Sequence, residues 1–100
     1  MIIEVIGRGV EITPAIREYA EAKAGKLLKF FDGVLQTTVT ITRADHHRTA
    51  QYDVEMVLDV TGHDDFVSHA QDLDVYAAID LASQKATRQL TDHKDKLRRR

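Results

Sequence analysis

Basic side chains are concentrated in the last twenty residues of the chain. Seven lysines and arginines stand there against Asp92 and Asp95, so this segment is net +5 in a protein of net charge −2. The remaining residues therefore sum to −7. Such a separation of charge in a small protein indicates a polyanionic partner that meets one side of the molecule. The basic residues are Lys85, Arg88, Lys94, Lys96, Arg98, Arg99 and Arg100.

A second basic set recurs at every third residue: Lys23, Lys26 and Lys29. Residues 45–80, in contrast, carry nine carboxylates and one arginine. Lysine and arginine bind nucleic acids by neutralising phosphates, so both sets are candidate RNA contacts. Lysine-rich surface helices are also common, and basic residues in a last helical turn interact favourably with the helix dipole. Charge alone therefore leaves a solvated helix face as the alternative.

Four of the five histidines flank predicted turns and invite a metal hypothesis: His46, His47, His63 and His69. Metal ligation needs three or four converging ligands, and consecutive turns of a β-meander lie at opposite ends of the sheet. The chain also has no cysteine, which excludes disulfides and thiolate ligands. We predict neither a metal site nor a cofactor.

Catalytic constellations are equally weak. Asp64 and Asp65 could be drawn as paired carboxylates, and Ser68 or Ser83 as nucleophiles. None has an evident base with an orienting partner, and acidic residues are common in turns. We predict that the protein is not an enzyme and has no small-molecule substrate.

The elements that must position the basic residues follow from the hydrophobic period. Residues 2–6 read as a strand, Thr13-Pro14 as a helix start, and helical spacing runs from Ile16 to a stop before Asp32-Gly33. The period then changes to two, with Leu35, Thr37, Val39 and Ile41 predicted to face inward.

Two further strands complete the predicted sheet. After a polar turn at residues 44–49, alternation continues over residues 50–59, and a turn at residues 61–64 leads to a short strand around residues 66–70. Three strands joined by short turns form an antiparallel meander, and the first strand, helix and second strand should form a parallel crossover.

A long final helix follows, capped by Asp72 or Asp74. Its apolar stripe comprises Val75, Tyr76, Ile79, Ala82, Ala86, Leu90 and Leu97, with His93 at the edge as half-buried packing or, alternatively, as a stacking partner for a base.

The order is β-α-β-β-β-α, an α+β fold with a four-stranded mixed sheet and both helices packed on one face. One hundred residues make a single domain, residues 1–100, and no apolar run is long enough for a membrane span. The helices would then be basic and the solvated sheet face acidic, through Asp53, Glu55 and Asp59.

Several stretches resemble one family, the ribosome hibernation promoting factors and the related ribosome-associated translation inhibitors. They are residues 6–8 (IGR), residues 10–13 (VEIT), Lys23-x-x-Lys26-Leu27 and Phe31-Asp32. The most specific are residues 74–80 (DVYAAID), leading into Arg88-Gln89-Leu90 and residues 93–97 (HKDKL). The resemblance covers essentially the whole chain. It implies a relative of the double-stranded-RNA-binding domain, in agreement with the element order.

The resemblance also implies a function. Such proteins bind the small ribosomal subunit over the decoding region, contact ribosomal RNA through basic helices, block translation and store idle ribosomes under stress or in stationary phase. Carried onto this chain, the RNA-binding candidates are Lys23, Lys26, Lys29, Lys85, Arg88, Lys94, Lys96 and Arg98. The protein would be cytoplasmic, would not contact membranes, and would be a monomer away from the ribosome.

Two departures from the family pattern matter. Asp92 stands where similar proteins usually carry lysine, and the net charge is slightly negative. The end of the chain at Arg100 favours the short form, which acts with a separate ribosome modulation factor. Two other functions stay open: a general double-stranded-RNA binder, and a regulatory module that binds a protein through the acidic sheet face.

Overall fold

A computed structural model describes residues 1–46 and 49–99 of the chain. It confirms the α+β class and the predicted β-α-β-β-β-α order. The elements are β1 Ile2–Arg8, α1 Pro14–Gly25, a 3₁₀ turn at Lys26–Lys29, β2 Val34–His46, β3 Thr49–Val60, β4 His63–Asp72 and α2 Val75–Arg98.

The four strands form one mixed sheet in the order β1-β2-β3-β4. β1 pairs in parallel with β2, as predicted for a crossover, and the β2–β3 and β3–β4 pairs are antiparallel. The hairpin is longer than predicted, since β2 continues to His46 and β3 begins at Thr49 where we expected a polar turn. Backbone pairing does not require apolar side chains, so the pattern underestimated the strand lengths.

The core lies on one face of the sheet. Val39 and Ile41 of β2 are fully buried there with Met56 and Leu58 of β3. Both helices cover this face, and α2 contributes the fully buried Ile79 and Leu90. Neither helix in the described part of the chain is long and apolar enough to cross a membrane.

Two residues predicted to be buried are exposed. Leu35 is 52% exposed, and Val34 is buried in its place, because the register shifts between Val34 and Gln36. A β-bulge of this kind reverses the alternation of side chains on one side of it. Leu97 is 40% exposed and lies in the last two turns of α2, beyond Leu90, the last fully buried residue of that helix.

The helix ends follow from local chemistry. The Thr13 hydroxyl accepts a hydrogen bond from the backbone N–H of Ile16 at 3.2 Å, and Asp74, not Asp72, caps α2 by accepting from the N–H of Tyr76 at 3.0 Å. The first helix does not run unbroken to Phe31 as predicted, because the chain tightens into the 3₁₀ turn after Gly25.

Gly7, within the IGR stretch of β1, is required by a close backbone approach. A Cβ atom at this position would lie 2.5 Å from the carbonyl oxygen of Val10. Because that oxygen belongs to the backbone, only glycine allows the chain to fold back so tightly before α1.

The depth of Leu90 in the core gives a stability prediction. Leu90→Ala leaves a cavity and should lower the free energy of unfolding by about 2–5 kcal/mol in urea titrations. Leu97→Ala is the matched control in the same helix, and we expect less than about 1 kcal/mol from it because Leu97 is largely solvated. Equal losses from the two variants would contradict the placement of the core.

Candidate nucleic-acid interface

The three lysines of the first helical segment lie at the junction of α1 and the 3₁₀ turn. Lys23 belongs to the last turn of α1, whereas Lys26 and Lys29 are the first and last residues of the 3₁₀ turn. Side chains three residues apart eclipse each other in a 3₁₀ helix. The helix break therefore aligns Lys26 and Lys29, both exposed, on one side.

Lys23 is tied to the second helix by an ion pair. Its Nζ lies 3.1 Å from Oδ1 of Asp80. The same carboxylate oxygen accepts a hydrogen bond from the Tyr19 hydroxyl at 2.6 Å, and the Tyr19 ring meets Tyr76 edge to face at 5.0 Å. One carboxylate oxygen of Asp80 on α2 therefore contacts two side chains of α1, the ammonium of Lys23 and the hydroxyl of Tyr19.

This cluster shifts three pKa values. The hydrogen bond from Tyr19 is the main cause that lowers the pKa of Asp80, with further contributions from Lys23 and Lys26. The hydrogen bond that Tyr19 donates to Asp80 is the main cause that raises the pKa of Tyr19. The hydrogen bond that Lys23 donates to Asp80 is the main cause that raises the pKa of Lys23. The charge of Lys23 is thus already partly neutralised within the protein, in contrast to what the spacing alone suggested.

Lys29 and Lys94 are brought together. They line one groove of about 310 Å³ with Leu28, Phe31 and Asp32, between the 3₁₀ turn and the C-terminal part of α2. These two lysines come from separate sequence sets, so the fold creates a shared cationic edge. Arg98 follows Lys94 by one helical turn and is exposed.

The other flank of α2 faces the edge strand β4. The Lys85 ammonium donates a hydrogen bond to the carbonyl oxygen of His69 at 2.7 Å, and the Gln89 amide donates to that of Val67 at 2.9 Å. Both contacts satisfy outward carbonyls of a sheet edge, a structural role that sequence analysis did not assign to Lys85. Arg88 lies beside Lys85 in a neighbouring groove.

The eight predicted RNA contacts thus lie on the helix layer but not on one uniform surface. One group lies on the α1 side of α2 and comprises Lys26, Lys29 and Lys94, with Arg98 near them in sequence. The other group lies on or toward the β4 side and comprises Lys85, Arg88 and Lys96. Lys23 sits between the helices on Asp80. Sequence reasoning missed Asp80 and Tyr19, although Asp80 follows Tyr76 by four residues and so shares its side of α2.

The opposite, open face of the sheet has a different character. A shallow depression there is lined by Arg8, Thr40, Thr42, Asp53 and Glu55 with residues of β4. His69 Nε2 lies 3.6 Å from a Glu55 carboxylate oxygen. As predicted, Asp53 and Glu55 lie on this face, and no aromatic residue of the described chain lines this depression to stack a base.

The serines considered as nucleophiles are structural. The Ser68 hydroxyl donates to the carbonyl oxygen of Ala82 at 3.0 Å, and the Ser83 hydroxyl donates to that of Asp80 at 3.1 Å. Of the metal-ligand candidates, His47 lies outside the described residues, as does the side chain of His46. Within the described part, no three histidine, aspartate or glutamate side chains are placed to hold an ion.

Comparison with known proteins identifies the family. Residues 3–98 match the family described as sigma 54 modulation protein / S30EA ribosomal protein. The chain belongs to this family. Within it, the ribosome hibernation promoting factor of Escherichia coli (strain K12) is 40% identical over 98 residues, which is 98% of each chain.

Solved structures agree with the S30EA assignment. The N-terminal domain of Thermus thermophilus protein Y superposes with a TM-score of 0.81 at 34% identity, over 93% of this chain and 99% of that one. A ribosomal subunit interface protein from Coxiella burnetii gives a TM-score of 0.82 at 25% identity, over 95% and 99%.

The link through Asp80 predicts a pH-dependent contribution to stability in this S30EA protein. Because folding lowers the pKa of Asp80 below its ordinary 3.8, its contribution is fully present above that value and is lost as the pH falls through the folded pKa. Asp80→Asn should lower the free energy of unfolding at pH 7 by on the order of 1 kcal/mol, a figure discounted for the 37% exposure of the carboxylate.

In urea titrations across pH, the difference between Asp80→Asn and the wild type should be constant well above pH 3.8 and should become smaller as the pH falls below that value. Asp95→Asn in the same helix is the control and should change stability little at any of these pH values, because that carboxylate is exposed. A gap for Asp80→Asn that is independent of pH would contradict the assigned ionic contact.

Proposed function

We propose that this protein binds the ribosome and promotes its hibernation, and that it does so by laying its basic helix layer on ribosomal RNA of the small subunit. The main support is the separation of charge between two faces of one sheet. The helices carry the candidate basic residues, whereas the open face carries Asp53 and Glu55. Relatives at 40% identity are named ribosome hibernation promoting factors, and a structural neighbour is named a ribosomal subunit interface protein.

The electrostatics decide which face meets RNA. A polyphosphate backbone is attracted to cations and repelled by carboxylates, so it approaches the helices and avoids the open sheet. Cations spread over two helices and a 3₁₀ turn suit the recognition of RNA shape and backbone rather than base sequence. Lys26, Lys29, Lys94 and Arg88 are the principal phosphate contacts in this proposal, with Lys96 and Arg98 beside them.

Lys23 and Lys85 take a second role. Each is held by a contact within the protein, to Asp80 and to the carbonyl oxygen of His69 respectively. A held ammonium loses less side-chain entropy when it meets a phosphate, but its charge is partly compensated. These two lysines position the helices. They contribute less of the salt-dependent affinity than Lys26, Lys29 and Lys94 do.

In this proposal the helix layer occupies the channel for messenger and transfer RNA and so blocks translation. The ribosome would be stored in this state in the cytoplasm, under stress or in stationary phase. Pairing of ribosomes would then need a separate modulation factor. The acidic open face offers an alternative function, binding of a protein partner, which would be insensitive to changes on the helices.

Salt dependence tests the interface. If about six phosphates are neutralised, log Kd for small subunits should change with log salt concentration with a slope of magnitude about 4–5. The double variant Lys29→Gln/Lys94→Gln should weaken binding and reduce this slope by roughly 1–2. Co-sedimentation with purified small subunits over a range of KCl concentrations measures both quantities.

The matched comparison uses two single variants, Lys29→Gln and Arg8→Gln, each of which removes one positive charge. Arg8 lies on the open face of the sheet, so the slope of its variant should equal that of the wild type. An equal effect of the two single variants would mean that only net charge matters and would overturn the assigned surface. Equal affinity of the wild type for a free RNA duplex would instead favour a general duplex binder.

A further inference from the structure

Four rings form a cluster where the β3–β4 turn meets the C-terminal half of α2. His63 stacks on Phe66 with ring centroids 4.4 Å apart and planes inclined by 17°. His93 of α2 meets His63 at 4.8 Å and Phe66 at 5.4 Å, and its ring also contacts Phe31 edge to face at 5.1 Å. We call Phe31, His63, Phe66 and His93 the aromatic cluster.

The cluster leaves one face of His63 uncovered by its other rings. The centroids of His63, Phe66 and His93 are separated by similar distances, so they form a nearly equilateral triangle. His93 therefore lies beside the His63–Phe66 stack rather than on top of it. His63 is an exposed residue, and no other ring of the cluster covers the face of its ring that is turned away from Phe66.

The orientation of the His63 ring is fixed in advance. Its Nδ1 lies 2.7 Å from the carbonyl oxygen of Asp64. A carbonyl oxygen only accepts, so Nδ1 carries the proton and donates. Stacking on Phe66 and this hydrogen bond together hold the ring as a platform, which reduces the entropy cost of binding a ligand on it.

A groove of about 250 Å³ adjoins the platform, and Gln89, Asp92, His93 and Lys96 line it with His63 and Phe66. The Gln89 amide nitrogen is committed to the carbonyl oxygen of Val67. Its Oε1 atom is buried and has no hydrogen-bond partner among the described residues. An acceptor left in this state costs free energy until a donor reaches it.

The chemistry of the groove selects among ligands. The exposed Asp92 carboxylate in this groove only accepts hydrogen bonds, so a bare phosphate is disfavoured and a planar group with N–H donors is favoured. Lys96 adds a cation for a phosphate attached to that group. Stacking face, acceptors and cation together match a nucleotide whose base carries an exocyclic amino group.

We propose that this groove binds an unpaired, amino-bearing nucleobase of RNA, stacked on His63 with its amino group donating to Asp92. This proposal rests on the proposed function, since the RNA would be ribosomal. It adds a contact with a base to a surface whose other proposed contacts are all with the phosphate backbone. It also explains Asp92, the acidic residue within the basic run of α2. Asp92 reads a base edge, and it lies on the flank of α2 opposite to the phosphate-binding Lys94.

Nucleotide titrations of the full chain test the site directly. Guanosine 5′-monophosphate should shift the NMR signals of the His63 ring and of the Gln89 side-chain amide at lower concentration than uridine 5′-monophosphate, which lacks the amino group. His63→Ala should weaken guanosine binding by about tenfold, the effect of losing one stacking contact. His69→Ala is the matched control, also an exposed histidine of β4, and should bind as the wild type does.

Asp92→Asn should reduce the preference for guanosine over uridine while the His63 shift persists. Wild-type shifts of equal size with both nucleotides, or confined to residues outside the groove, would overturn the base site without reference to any variant. Co-sedimentation of the wild type with small subunits is measured in parallel. Subunit binding without base-selective shifts refutes this inference alone, whereas selective shifts without subunit binding refute the proposed function and leave the base site standing.

Discussion

The fold depends on one constraint: only one face of the four-stranded sheet is apolar, so both helices must pack on that face. Met56 and Leu58 of β3, one of the two central strands, are fully buried in the same core as Ile79 and Leu90 of α2. Because α1 and α2 share this face, their outward sides form one layer that carries the basic residues. The separation of charge is therefore a consequence of the hydrophobic pattern, since residues on the strands of the open sheet cannot join the helix surface.

Asp80 shows how such a basic layer is stabilised. Cations placed side by side on adjacent helices repel one another, and an acidic residue between the helices offsets that repulsion. Asp80 also lowers the positive charge available at the centre of the layer, because it pairs with Lys23 and accepts from Tyr19. Other cations of the layer line grooves at its margins, Lys29 and Lys94 on one side and Arg88 on the other.

Much of the fold was predictable because period and caps are local signals. The strands, the crossover and the cap at Thr13 follow from residues near one another in sequence. The exposure of Leu35 did not follow, because a β-bulge is set by pairing with β3, which is distant in the chain. The break after Gly25 and the solvation of Leu97 likewise depend on where the sheet ends.

The candidate site was predictable in composition but not in arrangement. Spacing placed the lysines on helices, yet it could not show that Lys29 and Lys94 share a groove or that Lys23 is paired. His63 was predicted as a turn residue and considered as a metal ligand, and Phe66 was predicted as a strand residue. Their contacts with His93 join positions 30 and 27 residues apart, so no local pattern could predict them.

Lys85 shows why a basic residue on a nucleic-acid-binding helix need not be a nucleic-acid contact. β4 is an edge strand, and an unpaired edge exposes carbonyl oxygens that could pair with another chain. Lys85 and Gln89 donate to two of these oxygens, so α2 covers the edge by its side chains while it buries the core by its apolar stripe. The buried stripe of α2 sets the rotation of the helix relative to the sheet, and that rotation brings Lys85 and Gln89 to the strand edge. The same rotation places Lys94 toward the 3₁₀ turn and Lys96 toward the aromatic cluster, so burial of the stripe determines which cations face each side of the proposed RNA surface.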